Sequence, residues 1–360
     1  MLNKEYPSFF INKRQIGINY PTYFIAEIGS NFDGDLNRAK DLIYLAKEYG
    51  AEAAKFQHYT AEGLVSDFGF KSLSRIKSHQ SNWQSSVFDT YKKASLNKEW
   101  TEELNLTCQE VGIEFMTSPY SLDLIEYVNK FVNCFKVGSG DITWIEAIKF
   151  MASKGKPILL ATGASNQEEV NRAVGAIKEY TNEIVLMQCN TNYSGSKSNL
   201  ENINLNVLKN FQKLFPDIVL GLSDHTPGFI TVIGSIALGA RVIEKHFTDN
   251  KSRNGPDHSF ALDPKSWKEM VDYTRDLESS LGSGIKEIES NEKETVILQR
   301  RSIRAKKNIK AGETIKKENV NFLRPCPSDA IDPSSFKDIE GKELVNDVSE
   351  GDIIRYLDLM

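Results

Sequence analysis

The sequence has no apolar run of the ~18 residues needed to cross a bilayer, and its start lacks the charged-then-apolar pattern of a secretory signal. Cysteine is scarce: Cys108, Cys134, Cys189 and Cys326 lie far apart, with no CxxC pair among them. Neither a disulfide framework nor a structural zinc site is indicated. There is little charge excess, with a net −5 over 360 residues and no long basic run. Nucleic acid and acidic membrane surfaces are therefore disfavoured as partners, though local basic groups can still meet an anionic small molecule. Histidine occurs only five times. What remains is a chain with 40% apolar and 26% charged residues, which reads as globular and cytoplasmic, long enough for one large domain and one small one.

Short apolar runs recur along the chain: TYFIAEIG (22–29), AAKFQ (53–57), IEFMTS (113–118), CFKVGS (134–139), PILLATG (157–163), IVLMQC (184–189), IVLGLS (218–223) and RVIEKHF (241–247). Amphipathic stretches with helical spacing lie between them, such as 39–50, 144–156 and 167–180. Eight near-continuous apolar strands alternating with helices predict an α/β fold, a (β/α)8 TIM barrel over residues 1–285. An open doubly wound sheet is the alternative. SFFINKRQIGINYP (8–21) reads as a hairpin plugging the barrel's N-terminal end, and the long segment 58–97 as an insertion. A polar linker (286–299) precedes a small β-rich domain (300–360), where KAGETI and SEGDII read as two turns of one kind. A module of that size has a marginal core and is expected to pack on something larger.

In such a barrel the chemistry sits at the C-terminal ends of the strands. Those ends carry Glu27; Lys55 and Gln57; Thr117 and Ser118; Lys136 and Ser139; Thr162; Asn190 and Tyr193; Ser223, Asp224 and His225; and Glu244 and His246. Lys55 and Lys136 lie inside apolar strands, where an ammonium group is costly unless it meets an anion. With serine hydroxyls and the amides of Gly138-Ser139-Gly140 they suit a phosphate plus a carboxylate. The alternative is that each lysine pairs with a carboxylate such as Glu27 or Glu244. His225 and His246 end consecutive strands, which lie ~4.8 Å apart in a sheet, so two imidazoles there can share one divalent ion with open positions. The alternative is two histidines bonded to nearby carboxylates. His58 and His79 fall in the insertion and are expected at the surface, whereas the loop 253–258 is expected to bring Asp257 and His258 near the mouth.

IAEIG (25–29), KFQ (55–57), KVGSGD (136–141), GLSDHTPG (221–228), EKHFT (244–248) and GPDH (255–258) resemble the nonulosonic acid synthases, the sialic acid synthase family. The tail from Arg300 resembles that family's antifreeze-like SAF domain, so the likeness covers nearly the whole chain. It implies condensation of phosphoenolpyruvate with an N-acyl-mannosamine-type or modified amino-sugar aldehyde, giving a nine-carbon 2-keto sugar acid and phosphate. It also implies Mn²⁺ or Mg²⁺ as cofactor and a domain-swapped homodimer. By the same resemblance Lys55, Ser118, Lys136, Ser139, Thr191 and Ser223 would hold phosphoenolpyruvate, and His225 and His246 the metal. Glu27 would bond the sugar and move a proton, while Gln57, Asp141, Tyr193 and Asp257 would orient sugar or water. Arg324 would reach the partner's sugar N-acyl group.

The chain departs from the family pattern in places. Phe32 replaces the histidine of Asn-His-x-Gly, Cys326-Pro327-Ser328 replaces the glycine-rich segment after Arg324-Pro325, and Asp141 stands where some members have glutamate. These changes imply an altered acceptor. The readings that compete are a related synthase with a phosphorylated acceptor, a non-catalytic sugar-binding barrel, and a metal-dependent epimerase or aldolase.

Overall fold

The computed structural model describes residues 6–73, 80, 83, 85–193 and 195–360. Two compact units divide the chain, the first ending at Gly282 and the second running Ser283–Met360.

Eight parallel strands form the first unit: β3 (Tyr23–Glu27), β4 (Ala53–His58), β5 (Glu114–Pro119), β6 (Phe135–Val137), β7 (Ile158–Ala161), β8 (Ile184–Cys189), β9 (Val219–Asp224) and β10 (Val242–His246). Each matches one of the eight apolar runs. Their order is β5-β4-β3-β10-β9-β8-β7-β6, and β6 also lies alongside β5 without a hydrogen-bonded ladder. The sheet therefore curls into a barrel that is paired at every junction but one. Helices connect the strands because the intervening segments present one apolar stripe each; the helix Gln167–Lys178, for example, buries Val170, Ala173, Val174 and Ile177. Asn166 and Glu169 start that helix with a capping box.

The apolar core has two layers. Outward strand residues such as Phe24, Ala54 and Leu186 pack against the helices, whereas Ile25, Met116, Leu159, Val185 and Val242 fill the barrel interior. A hairpin of β1 (Ser8–Ile11) and β2 (Arg14–Gly17) joins the inner layer through Ile11 and Ile16. The N-terminal end of the barrel is thus closed by apolar packing, and the polar residues are left to the other end.

The second unit pairs β11 (Ser302–Ala305) with β12 (Val320–Leu323) around a core that includes Ile303, Ile309, Ile315 and Ile354. Both expected turns carry a glycine in the left-handed region, Gly312 at φ 84° and Gly351 at φ 85°. Residues 293–299, inside the stretch read as linker, form a helix. No helix among the described residues is long and apolar enough to cross a membrane.

Candidate functional site

A cavity of about 420 Å³ opens at the C-terminal ends of the strands. Its lining includes Glu27, Lys55, Gln57, Ser118, Lys136, Ser139, Asp141, Tyr193, Ser223, His225, His246 and Asp257. The period-2 alternation of strands puts these groups on the inner face. The ladder then aligns them in rows, with His246 opposite Glu27, Glu27 opposite Lys55, and Gln57 opposite Ser118.

The two lysines do meet carboxylates. Lys55 Nζ donates to Glu27 Oε2 at 2.5 Å, and Glu244 Oε1 lies 3.5 Å from Lys55 Nζ and 3.3 Å from Lys136 Nζ. Gln57 Nε2 donates to Glu27 Oε1 at 2.7 Å, and Ser223 Oγ to Glu244 Oε1 at 3.4 Å. Burial lifts the Glu27 carboxyl to about 7, against the pull of Lys55. Burial would lift Glu244 as well, but Lys136 and Lys55 outweigh it and hold that carboxyl at about 2. The site thus contains one carboxyl poised for proton exchange and one that stays ionised. Asp141 is lifted to about 6 by burial.

His225 and His246 face each other with ring centroids 5.4 Å apart. His225 Nδ1 lies 2.9 Å from the Asn190 carbonyl, which can only accept, so that nitrogen is the donor. His246 Nδ1 has no hydrogen-bond partner and stands 3.9 Å from Asp257 Oδ2, beyond bonding distance. The arrangement is therefore not two histidines each tied to a carboxylate. Tyr193 packs on His225 at 4.3 Å and Phe260 on His246 at 4.8 Å, fixing both rings. Buried polar atoms without a partner include Ser118 Oγ, Glu244 Oε2 and His246 Nδ1, all on groups lining this cavity. Buried polar atoms are normally paired, so these are suited to a ligand. Two facing imidazoles can supply two ligands to a divalent cation and leave its other positions exchangeable. Among the described residues no group of three or more His, Cys, Asp or Glu side chains forms a complete metal cage.

Other expected residues lie elsewhere. Thr191 lines an adjoining cavity with Asn190 and Asn192. Ser139 lines the central cavity, but its Oγ also accepts from Gly163 N at 3.0 Å. Arg324 belongs to the second unit, directly after β12. Asp224 points out of the barrel, where it accepts from Lys245 and from the hydroxyls of Thr226 and Thr231.

Two expectations are corrected. His58 is no surface residue: it ends β4, is buried, and shares hydrogen bonds with Thr117 and Thr101 at 2.7 and 2.8 Å. Burial pushes its imidazole down to about 4, so it is neutral. His79 lies outside the described residues. His258 does not face the mouth but is buried between Thr248 and Asp33. Phe32 does not line the cavity: it sits in the outer core, edge-on to Trp100 at 6.3 Å.

Sequence reasoning placed Glu244 at a strand end and as an alternative partner of the lysines but gave it no role of its own; it precedes His246 by two positions and so shares its face of β10. Sequence reasoning missed Ser30, whose N and Oγ both donate to Asp257 Oδ2, at 3.0 and 2.8 Å. Nothing in the sequence signals that contact, because the partner is 227 residues away.

The chain matches the NeuB family over residues 42–286 and the SAF domain over 300–360. It is 35% identical to an N,N'-diacetyllegionaminic acid synthase of Legionella pneumophila, over 93% of this chain and 94% of that one. It is 32% identical to the human N-acetylneuraminate-9-phosphate synthase, over 95% and 93%. The crystal structure of an N-acetylneuraminic acid synthetase from Leptospira borgpetersenii superposes with a TM-score of 0.71 at 26% identity, covering 81% of this chain and 95% of that one. Barrel and likeness agree: the chain belongs to the NeuB family of phosphoenolpyruvate-utilising sugar-acid synthases, with a SAF domain following the barrel.

Proposed function

We propose that the protein joins C3 of phosphoenolpyruvate to the aldehyde carbon of an open-chain N-acyl amino sugar. Water then adds at C2, the C2–O bond breaks, and phosphate leaves with a nine-carbon 2-keto acid as product. One observation carries the reading: two buried ammonium groups and two facing imidazoles converge on one cavity with the unpartnered Ser118 hydroxyl.

Lys55 and Lys136 hold the phosphate and carboxylate of phosphoenolpyruvate. Glu244 neutralises one of the two lysine charges, and while Glu27 is protonated the remaining positive charge favours an anion there. Ser118, Ser139 and Ser223 add hydroxyl donors, with Thr191 reaching in from the neighbouring cavity. As phosphate departs, the two lysines stabilise its growing charge in a site shielded from water. Glu27 in its protonated form gives its proton to the sugar oxygen as the carbonyl becomes a hydroxyl, and Gln57 holds that carboxyl in place. Asp141, Tyr193 and Asp257 orient sugar and water.

His225, His246 and their carboxylate neighbours would hold Mn²⁺ or Mg²⁺, which supplies Lewis-acid polarisation of the aldehyde when bound. In the same reading the protein is a homodimer in the cytoplasm, and Arg324 of one copy meets the sugar's acyl group in the other.

The test is phosphate release from phosphoenolpyruvate with Mn²⁺ and a panel of N-acyl hexosamines. Release that depends on sugar and stops with chelator supports the reading; no release with any sugar favours a sugar-binding barrel. His225→Ala is expected to keep the fold by circular dichroism and to lose calorimetric Mn²⁺ binding. Truncation after Gly282 is expected to weaken acceptor binding and dimerisation together.

A further inference from the structure

Asp257 enters the cavity from the loop after β10, and that loop is fastened to the turn after β3 on either side of it. His258 is fully buried and spans the gap. Its Nε2 donates to Asp33 Oδ1 at 2.9 Å, and its Nδ1 meets the hydroxyl of Thr248, ten positions back, at 2.7 Å. The carboxylate can only accept, which fixes Nε2 as the donor. The loop is thereby closed on itself and pinned to Asp33 by the residue next to Asp257. At the start of the loop Arg38 makes a bidentate pair with Asp249, at 2.7 and 2.5 Å, and donates from Nε to the Asn31 carbonyl at 2.9 Å. Asn31 Nδ2 in turn donates to the Phe247 carbonyl at 2.9 Å. The backbone is shaped for the His258 contact. Asp33 takes φ 53°, a left-handed conformation that aspartate tolerates better than most residues. A Cβ on Gly255 would stand 2.6 Å from His258 Cδ2, so glycine there makes room for the ring.

Resting on the condensation reading, we propose that Asp33 and His258 are positioning residues. Their contact sets the Asp257 carboxylate against acceptor and water, and the pair acts on turnover only through Asp257. Asp257 Oδ2 takes two hydrogen bonds from Ser30, at 3.0 and 2.8 Å, and stands 3.9 Å from His246 Nδ1. Ser30 lies on the same turn as Asp33, so two links, Ser30 to Asp257 and Asp33 to His258, join neighbouring residues of one loop to one turn. Two anchors fix both the place and the tilt of the carboxylate; held by Ser30 alone, it can pivot. A displacement of about 1 Å in such a group costs up to about a hundredfold in rate.

The experiment follows phosphate release from phosphoenolpyruvate with Mn²⁺ and the best acceptor of the hexosamine panel. It compares wild type, Asp33→Gly, Asp33→Asn and Thr248→Val, each with and without Asp257→Ala. Asp33→Gly removes the acceptor of His258 but suits φ 53°. It is expected to lower kcat about tenfold or more while the phosphoenolpyruvate KM stays within about twofold. Asp33→Asn keeps an acceptor oxygen and a residue at home in that conformation, and is expected to restore most of the rate. Combined with Asp257→Ala, Asp33→Gly is expected to cost no further rate, because its route to the chemistry is already cut. Thr248→Val keeps the branched shape and frees His258 from its other side, so it gives the same pattern even if Asp33→Gly does not fold. An unchanged kcat overturns the inference. So do equal losses in Asp33→Asn and Asp33→Gly, which trace the effect to the charge beside Arg38, and losses that add to that of Asp257→Ala. If Asp257→Ala is too slow to follow, the asparagine and glycine variants decide alone. Each of these outcomes leaves the condensation reading standing, whereas no phosphate release by the wild-type protein with any acceptor defeats both.

Discussion

Lys245 Nζ lies 2.5 Å from Asp224 Oδ2, both side chains are sealed from solvent, and the pair sits on the outer face of β10 and β9 directly behind His246 and His225. Asp224 also takes the hydroxyls of Thr226 and Thr231, and Lys245 donates to the Thr226 carbonyl at 2.6 Å. The pair ties the turn that carries His225 to the strand that carries His246. Lys245→Met leaves a buried carboxylate unpaired, which is expected to cost about 3–5 kcal/mol in urea unfolding. Replacing both, as Lys245→Met with Asp224→Leu, is expected to recover most of that stability. Equal losses in the single and double variants would show that the pair does not act as a unit.

Gly29 adopts φ 55°, and a Cβ there would stand 2.7 Å from Asp257 Oδ2, 3.3 Å from Glu27 Oε1 and 3.4 Å from His246 Cε1. Gly29→Ala is therefore expected to lose roughly 1–2 kcal/mol from the left-handed backbone. Its effect on turnover should be larger, about a hundredfold, because three working groups are pushed out of line. Steady-state kinetics beside thermal unfolding separates the two effects.

In the proposed mechanism Glu27 gives up a proton and so must start protonated, and burial holds it at about 7. The rate of the chemical step is expected to fall as pH rises through about 7. Glu27→Gln should lower the rate and remove that descending limb. A limb that persists unchanged in the glutamine variant assigns the titration to another group.

Glu52 lies outside the cavity, where it accepts from Phe24 N at 2.7 Å and pairs with Arg275 at 3.1 Å. Burial lifts it from 4.5 to about 7, even with the Phe24 amide and Arg275 pulling it down. A carboxyl with a raised folded-state pKa favours folding most fully below its unfolded value and loses that advantage as pH climbs to the folded one. Glu52→Gln is expected to flatten the decline of stability between pH 4.5 and about 7 without changing turnover. Chemical denaturation across that range, wild type against variant, measures it.

Much of the architecture was legible because its signals are local. Eight apolar runs, each bounded by polar residues, specify parallel strands buried on both faces, and many of the residues at their ends line the cavity by position alone. The motif GLSDHTPG contributes Ser223 and His225 to that cavity in the same way. Alternation along β9 and past its end then separates Ser223 and His225, which line the cavity, from Asp224, which does not.

Only the folded chain decided who meets whom. That Glu244 stands between both lysines, that Asp257 bonds Ser30, and that His58 is enclosed by Thr117 and Thr101 all depend on strands and loops far apart in sequence. Phe32 makes the same point: the sequence shows only that it replaces the family's histidine, and the fold decides that its ring packs on Trp100 in the outer core. Strand periodicity and apolar content act within a few residues and so can be read directly. The pairing of buried charges is set by barrel closure and register, which bring together groups that no local pattern relates.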